Sequence, residues 1–202
     1  MFKEKKWSNR LQLIMLFVVF LAPLVGAYYM YQTRDSREYN TVNNGEFYPK
    51  PLDLENIPFV FTDGKTVPFA EFERKWYLVV IADKTCGDSC EENLLKIRQL
   101  KRMQGKNVAR VVSLFVPRGL PADEVEDLTA KYSLTTIKAA DSAQLEQWLQ
   151  PFYTGRGQAE LDAGRIYMID PLGKLMMSYP AGTDPKGVYK DLKRLLKVAQ
   201  VG

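Results

Sequence analysis

The sequence predicts an α/β domain, a mixed sheet flanked by helices, together with one N-terminal hydrophobic segment. Apolar runs of strand length alternate along the chain with segments whose apolar residues recur at helical spacing. The run over residues 76–82 is apolar throughout, as expected for a strand covered on both faces. Such an alternation of strands and helices is typical of layered α/β domains.

The predicted elements run from a hairpin to a final helix. A β-hairpin is predicted over residues 59–69, where Asp63-Gly64 supplies the turn. Strands are predicted at 76–82, 108–116, 134–139, 165–170 and 175–179, and helices at 91–103, 121–132, 142–149 and 185–199. Residues 150–164 are predicted to form an irregular loop. This order matches a thioredoxin-like fold that carries the hairpin as an N-terminal extension.

Helical spacing also predicts which side chains face the core. They belong to three of the helices: Leu94, Leu95, Ile97, Leu100 and Met103; Leu145, Trp148 and Leu149; and Val188, Leu192, Leu195, Leu196 and Val198. Each of these helices is therefore expected to pack one face on the sheet.

A hydrophobic segment near the start predicts a membrane anchor. Residues 11–31 are almost entirely apolar, with Gln12 the one strongly polar member. At about 1.5 Å per residue they can cross a hydrocarbon layer roughly 30 Å thick. Residues 1–10 have a net charge of +3, and the side richer in Lys and Arg stays in the cytoplasm. The alternative is a signal peptide cleaved near Val25-Gly26-Ala27, which would also place the domain outside the cytoplasm.

This interpretation divides the chain into four parts. Residues 1–10 form a cytoplasmic basic segment, 11–31 a transmembrane anchor, 32–50 a polar linker and 51–202 the thioredoxin-like domain. The expected location is the bacterial inner membrane, with the domain in the periplasm. The whole chain has a net charge of +4, of which residues 11–202 carry only +1. A nucleic-acid-binding face needs clustered basic charge on the folded domain, so this composition argues against nucleic acid as a partner.

The only two cysteines, Cys86 and Cys90, lie between the predicted strand 76–82 and the predicted helix 91–103. A structural disulfide here would close a very short loop, and such a bridge stabilises little because the effect grows with loop length. The pair is therefore predicted to serve thiol redox chemistry or the binding of a soft metal ion. The chain contains no histidine, so neither chemistry can use an imidazole.

The position of each sulfur suggests its role in thiol exchange. Cys86 lies just before the predicted helix, where the positive end of the helix dipole favours a thiolate. We therefore expect Cys86 to be the attacking thiol and Cys90 the resolving one. Lys84 favours the thiolate as well. Four carboxylates nearby oppose it: Asp83, Asp88, Glu91 and Glu92. The expected fall in the pKa of the Cys86 thiol is therefore small, and the two glutamates are expected to stabilise the helix start.

These motifs resemble the Sco/SenC family. The likeness lies in the hairpin over 59–69, the strand 76–82, the Cys-x-Asp-x-Cys loop and the segment 166–174 (IYMIDPLGK). Members of that family are membrane-tethered, thioredoxin-like factors that help to assemble the copper site of cytochrome c oxidase. The resemblance implies that Cys86 and Cys90 are the two thiolate ligands of copper or a redox pair. It also implies a respiratory oxidase subunit, or a copper or thiol carrier protein, as the partner.

Two departures from the family pattern bear on metal binding. The family's third copper ligand is a histidine in the loop before the later strands, and its place falls at about Asp162. A carboxylate is a hard ligand, so Cu(I) held by two thiolates is the copper state that suits this chain. Met168, Met176 and Met177 are candidate thioether donors, although methionine more often fills a core. Gly87 stands where the family usually has proline, which makes the loop less rigid.

Three functions remain open from the sequence. The leading one is an assembly factor for a respiratory cytochrome oxidase, acting by thiol–disulfide exchange or by transient handling of Cu(I) through Cys86 and Cys90. The second is a non-catalytic scaffold of the same fold. The third is a general membrane-tethered thiol–disulfide oxidoreductase, although such reductases usually have Cys-x-x-Cys and a proline at the place of Gly164-Arg165. A peroxiredoxin is disfavoured because Asp83 stands where its threonine would be.

Overall fold

The structure is a computed structural model that describes residues 9–32, 43–54, 56–62, 64–72, 74–139, 141–154, 161 and 164–198. The chain separates into two compact units, Met1–Val42 and Asn43–Gly202. The first unit contains helix α1, Asn9–Gln32. The second unit contains the sheet, the remaining helices and both cysteines.

Helix α1 is apolar around its whole circumference. Its segment Arg10–Met30 has a mean hydropathy of 2.3. By length and composition this helix can cross a membrane. Pro23 lies inside it, a position that transmembrane helices tolerate. The predicted anchor segment 11–31 thus coincides with a candidate membrane span.

Within the described residues, the second unit is built on an eight-stranded mixed sheet. Its strands are β1 (Glu46–Asp53), β2 (Pro58–Phe61), β3 (Thr66–Pro68), β4 (Trp76–Asp83), β5 (Val111–Arg118), β6 (Thr135–Ala139), β7 (Ile166–Ile169) and β8 (Lys174–Tyr179). Their order across the sheet is β1-β8-β7-β4-β5-β6-β2-β3. Strand β5 is parallel to β4 and to β6, and the other neighbouring pairs are antiparallel.

Helices cover both faces of this sheet. They are α2 (Phe69–Phe72), α3 (Asp88–Arg102), α4 (Ala122–Tyr132), α5 (Ser142–Thr154) and α6 (Pro185–Val198), with a 3-10 helix at Gly105–Arg110. Alternate residues of β4 belong to two cores. Leu78 and Val80 pack in the core that includes residues of α3 and α6, and Tyr77 and Val79 pack with α5 and the hairpin aromatics. The predicted thioredoxin-like fold class is confirmed.

Several element boundaries differ from the predicted ones. Helix α3 begins at Asp88, three residues before its predicted start, so Cys90 lies inside the helix. Strand β5 begins at Val111 because the preceding residues form the 3-10 helix. Helix α5 continues through Pro151 to Thr154, into the segment predicted to be a loop.

Strand β1 crosses the expected boundary between the linker 32–50 and the domain 51–202. It contains Pro49 and Pro51, which remove backbone donors and hide its strand character in the sequence. The strand lies at the edge of the sheet beside β8, where prolines are tolerated. Tyr48 on this strand is buried and donates a hydrogen bond to the carbonyl of Phe152 at 2.9 Å, so β1 is part of the core.

Most of the predicted inward side chains are buried, two are half-buried and three are exposed. Leu95, Met103 and Val198 are 38%, 55% and 83% exposed, so their predicted core positions are wrong. Leu145 and Leu195 are half-buried. The others are buried as predicted: Leu94, Ile97, Leu100, Trp148, Leu149, Val188, Leu192 and Leu196.

Candidate redox site

A disulfide joins Cys86 and Cys90 between the end of β4 and the first turn of α3. Their Cα atoms are 5.1 Å apart. Both cysteines are half-buried and pack against the core beneath α3 and α6. The structure therefore brings together the two residues that the sequence singles out, at a place that a visiting molecule can reach.

The loop before Cys86 is held by backbone hydrogen bonds to β4 and β5. Lys84 has a φ of +60°, an uncommon conformation for a residue with a side chain. Its N–H donates to the carbonyl of Arg118 at 2.7 Å, and the N–H of Thr85 donates to the carbonyl of Asp83 at 2.7 Å. Because strand β5 fixes the turn, Cys86 leaves the sheet in a defined direction.

Gly87 caps the start of α3. Its carbonyl accepts hydrogen bonds from the N–H of Cys90 at 2.9 Å and of Glu91 at 3.0 Å. Its φ of −74° is one that any residue adopts, proline included. Asp88 is the first helical residue and is exposed. The positive end of the α3 dipole thus lies beside the disulfide, as the sequence predicts.

Two of the charged groups around the disulfide, Glu91 and Asp83, form ion pairs. Glu91 bonds the Nζ of Lys131 at 2.5 Å and accepts from the hydroxyl of Tyr132 at 2.6 Å. These two hydrogen bonds hold the pKa of Glu91 below its usual range. Asp83 pairs with Arg118 at 3.1 Å. Glu91 therefore links α3 to α4, a role beyond the helix-start stabilisation that the sequence suggests.

Glu124 is a neighbour of Cys86 that the sequence does not reveal. Its Oε1 accepts from the backbone N–H of Cys86 at 3.4 Å, across 38 positions of sequence. Glu124 lies in the first turn of α4. Sequence analysis missed it because acidic residues are ordinary at helix starts, and only the fold places this helix against the cysteine loop.

A cleft of about 330 Å³ opens beside Cys90. Its walls come from the end of β4, the start of α3, the segment before β7 and β7 itself. Its lining residues are Ile81, Ala82, Asp83, Thr85, Gly87, Ser89, Cys90, Leu161, Gly164 and Tyr167. The cleft therefore lies beside the disulfide, with Cys90 as one of its lining residues.

The segment before β7 is fastened to helix α3. The buried amide of Asn93 donates to the carbonyl of Gly164 at 2.7 Å. Gly164 has a φ of +75°, and a Cβ there would lie 3.3 Å from Ala181 and 4.0 Å from Ser89. The next residue, Arg165, is buried and bonds Glu46 at 2.7 Å and Ser178 at 3.1 Å. The far wall of the cleft is thereby tied to α3, β1 and β8.

The described residues do not supply the three-ligand copper site that the resemblance implies. They contain no group of three or more His, Cys, Asp or Glu that could hold a metal ion, and the whole chain has no histidine. Asp162 lies outside the described residues. Met168 and Met177 are fully buried core residues, and Met176 is half-buried against the same core. The donors at hand are two sulfurs, which suit Cu(I) once reduced.

A model of the family "Transmembrane-like, thioredoxin-like, C-terminal domain" matches residues 76–199. The chain belongs to this family. The matched segment starts with β4 and includes both cysteines and α6. No match to this chain is found among curated proteins.

Solved structures of Sco proteins and of a thiol:disulfide interchange protein share the fold. Copper-bound ScoI of Bradyrhizobium japonicum is 20% identical, with a TM-score of 0.54 over 70% of this chain and 98% of its own. BsSco, a member of the Sco family of cytochrome c oxidase assembly proteins in which a disulfide switch was identified, is 15% identical, with a TM-score of 0.53 over 71% and 92%. A thiol:disulfide interchange protein from Bacteroides sp. is 12% identical, with a TM-score of 0.54 over 75% and 92%. The resemblance to Sco proteins is confirmed for the fold.

Proposed function

We propose that this protein is a membrane-anchored, Sco-like assembly factor for a respiratory cytochrome oxidase. It acts by thiol–disulfide exchange through Cys86 and Cys90. The observation that carries the proposal is a disulfide at a strand–helix junction, half-buried and beside an open cleft. A purely structural bridge needs no such access.

The proposed partner is an exported subunit of the oxidase or a carrier of copper or thiols. BsSco, which shares the fold, belongs to a family of cytochrome c oxidase assembly proteins and contains a disulfide switch, and this supports the choice of partner. The proposed location is the bacterial inner membrane. Helix α1 then spans the bilayer, the basic residues 1–10 stay in the cytoplasm, and the domain lies in the periplasm.

Transient binding of Cu(I) is the second candidate function. It is supported by two sulfurs that are held close enough to bond, so that both thiolates of the reduced pair can face one soft ion. Copper-bound ScoI has the same fold. In this function Cu(I) is cargo that is received and passed on, and the donor set of this chain holds it without a nitrogen ligand.

A gene deletion tests the proposed function most directly. We expect membranes of the deletion strain to lose cytochrome oxidase activity. The wild-type gene should restore it, and the double variant Cys86→Ser/Cys90→Ser should not. Glu92→Gln is the matched control, because Glu92 is exposed on α3 and pairs only locally with Lys96. Full rescue by the double serine variant would support a scaffold instead, and an unaffected oxidase would support a general thiol reductase.

Two measurements on the purified full-length protein in detergent separate the chemistries. Exchange predicts a reduction potential between about −180 and −300 mV, whereas a structural bridge lies below about −300 mV. Cu(I) handling predicts that the reduced protein competes with a chelator for one Cu(I), and that Cys86→Ser or Cys90→Ser abolishes this competition. Cu(I) binding that persists without either cysteine would exclude the pair as the copper site.

A further inference from the structure

We infer that helix α6 docks on an anionic lipid surface through a row of exposed lysines. This inference rests on the membrane location in the proposed function. It goes beyond that function, because it gives the domain a contact with the bilayer of its own, in addition to the anchor α1. The ligand class is the negatively charged headgroup of a phospholipid.

The exposed face of α6 carries a row of positive charge, called the lysine stripe below. Its members recur at intervals of four, three and four residues, which places them on one face of a helix. They are Lys186, Lys190, Lys193 and Lys197, and all four are exposed. The inward face of α6 carries the buried Val188, Leu192 and Leu196. This arrangement of a basic face and an apolar face is typical of helices that lie on a membrane surface.

Carboxylates on α6 do not neutralise the lysine stripe. Asp191 is the only acidic residue within α6, and its buried carboxylate accepts from the backbone N–H groups of Asn44 and Gly45. Asp184, just before the helix, accepts from the backbone N–H of Lys186 at 3.0 Å. In the part of the chain that the structure describes, none of the four lysines forms an ion pair. Their charges are therefore open to an anionic surface.

The chain from the anchor enters the domain at this same helix. The side-chain amide of Asn44 donates to the carbonyl of Gly187 at 3.3 Å and to Asp191 at 3.0 Å. A Cβ on Gly187 would lie 2.8 Å from the Cβ of Asn44, so the entering chain packs directly on α6. Residues 33–42 join α1 to this point, and ten residues span at most about 36 Å. The chain itself thus keeps α6 within reach of the bilayer that α1 would span.

Another surface of the domain has the opposite charge. Helix α3 contacts both α6 and α4, and a depression at the start of α4 is lined by four carboxylates, those of Glu91, Asp123, Glu124 and Asp127. Only that of Glu91 is paired, with Lys131 in the same depression. An anionic surface attracts the lysine stripe and repels the other carboxylates. Because Glu124 contacts the backbone of Cys86, docking through α6 favours orientations in which the disulfide loop faces away from the headgroups.

The tether favours a lipid surface over other anionic partners. Each lysine near an anionic membrane contributes about fivefold to binding, so a few lysines alone bind weakly. A tethered domain meets the bilayer in an intramolecular contact, at high effective concentration, and weak attraction is then sufficient. An acidic protein gains nothing from this tether, and a nucleic acid is not expected in the proposed periplasmic location.

Quenching by lipids that carry a nitroxide on the headgroup tests this contact in the full-length protein. A fluorophore is attached through maleimide to Val198→Cys, an 83% exposed position at the end of α6, while the native disulfide stays oxidised and unreactive. The vesicles contain phosphatidylcholine alone or phosphatidylcholine with phosphatidylglycerol. We expect strong quenching only with phosphatidylglycerol, and its loss at high salt, because salt screens exposed charges.

The position control is Gln147→Cys, which is exposed on α5, the helix that packs with the other core of the sheet. Its label should be quenched weakly in both kinds of vesicle. Equal quenching at positions 198 and 147 would overturn the inference and leave an acidic protein surface as the partner of the lysine stripe.

A variant that removes three charges of the lysine stripe tests the electrostatic argument: Lys190→Gln, Lys193→Gln and Lys197→Gln. Glutamine keeps a polar side chain with good helix propensity. Docking should weaken by about a hundredfold, so quenching at position 198 should fall to its level in phosphatidylcholine. The matched control removes the same charge from exposed positions outside α6: Arg74→Gln, Lys84→Gln and Lys138→Gln. It should retain the quenching, and unchanged quenching in the stripe variant would contradict the inference.

Failure of this inference is distinguishable from failure of the proposed function. If α1 is not an anchor, the protein does not float with the vesicles, and both the membrane location and the inference are overturned. If the anchor is correct and the inference is wrong, the protein floats with the vesicles but position 198 is quenched no more than position 147. The role in oxidase assembly is measured separately, by the gene deletion, and does not affect the quenching.

Discussion

Gly87 shows that a glycine in the cysteine loop is not demanded by the geometry of that loop. Its φ and ψ are −74° and −174°, which residues with side chains adopt without strain. A Cβ built on Gly87 would meet no atom within 4 Å. Gly87 therefore adds conformational freedom to the unfolded chain. No neighbouring atom comes so close to its Cα that a side chain would be excluded.

The change Gly87→Ser is therefore expected to stabilise the domain by about 0.4–1 kcal/mol, because serine restricts the unfolded chain more than glycine does and its hydroxyl can accept from a free N–H in the first turn of α3, where Gly87 offers no side-chain cap. Urea unfolding of the full-length protein in mild detergent measures this. Gly164→Ala is the opposing control. It should destabilise, because Gly164 has a φ of +75° and a Cβ there approaches Ala181 to 3.3 Å. A loss of stability in Gly87→Ser would mean that the loop needs glycine.

Single residues also mark the limit of what sequence can predict. The cysteine pair was identifiable because both cysteines lie within one local pattern of strand, loop and helix. Glu124 and Arg165 were not, because their contacts with Cys86 and Glu46 join positions 38 and 119 residues apart. Such contacts arise from packing of whole elements, and local periodicity carries no information about them.

At the level of elements, Glu91 is the link between α3 and α4. Hydrogen bonds from Lys131 and Tyr132 lower its pKa from the ordinary value of 4.5. A carboxyl whose pKa is lower in the folded than in the unfolded state stabilises the fold above the unfolded value. This contribution is lost as the pH falls through the folded value. The contact between the two helices is therefore expected to weaken in acid.

Urea unfolding at several pH values tests this link. Between about pH 6 and about pH 3 the wild type should lose more stability than Glu91→Gln, which has no carboxyl to protonate. Glu126→Gln, exposed on α4, should follow the wild type. Parallel pH profiles for the wild type and Glu91→Gln would show that the ion pair contributes nothing to stability.

The second link between elements joins the start of the domain to α6. The buried carboxylate of Asp191 accepts from the backbone N–H of Asn44 at 2.7 Å and of Gly45 at 3.0 Å, and from the side-chain amide of Asn44 at 3.0 Å. The space is tight, because a Cβ on Gly45 would lie 2.5 Å from the ring of Tyr179. The sequence predicts that residues 44–45 belong to a linker. The local pattern does not reveal that Asn44 bonds Asp191, which lies 147 residues further along the chain.

We expect Asp191→Ala to destabilise the domain by about 1–3 kcal/mol, because the buried N–H of Gly45 would lose its acceptor. Hydrogen exchange at Asn44 and Gly45 should rise more than exchange in β4. Lys190→Ala, exposed on the same helix, should change neither quantity. Unchanged protection at Asn44 in Asp191→Ala would mean that Asp191 does not hold the start of the domain.

For the whole molecule, the fold class could be predicted because the strand patterns and the helix patterns of the sequence both indicate a layered α/β domain. The fully apolar run of β4 predicts a central strand, and the structure places β4 between β5 and β7. The amphipathic spacing in α3 and α6 predicts helices on one face of a sheet. The pairing of the hairpin with β6 and of β1 with β8 could not be predicted, because strand order depends on contacts between distant segments.

Orientation in the membrane is the last property of the whole molecule that the proposed function requires. The protein can exchange thiols with a partner in the periplasm only if both cysteines lie on the periplasmic side of the inner membrane. A membrane-impermeant maleimide should therefore label reduced Cys86 and Cys90 in cells whose outer membrane has been permeabilised. Ser8→Cys in a background without Cys86 and Cys90 is the control. It should stay unlabelled until the inner membrane is opened, because the basic segment 1–10 favours the cytoplasmic side. The opposite result is labelling of Ser8→Cys while the inner membrane is intact, together with no labelling of Cys86 and Cys90 in the wild type. That result would reverse the orientation and exclude a periplasmic oxidase subunit as the partner.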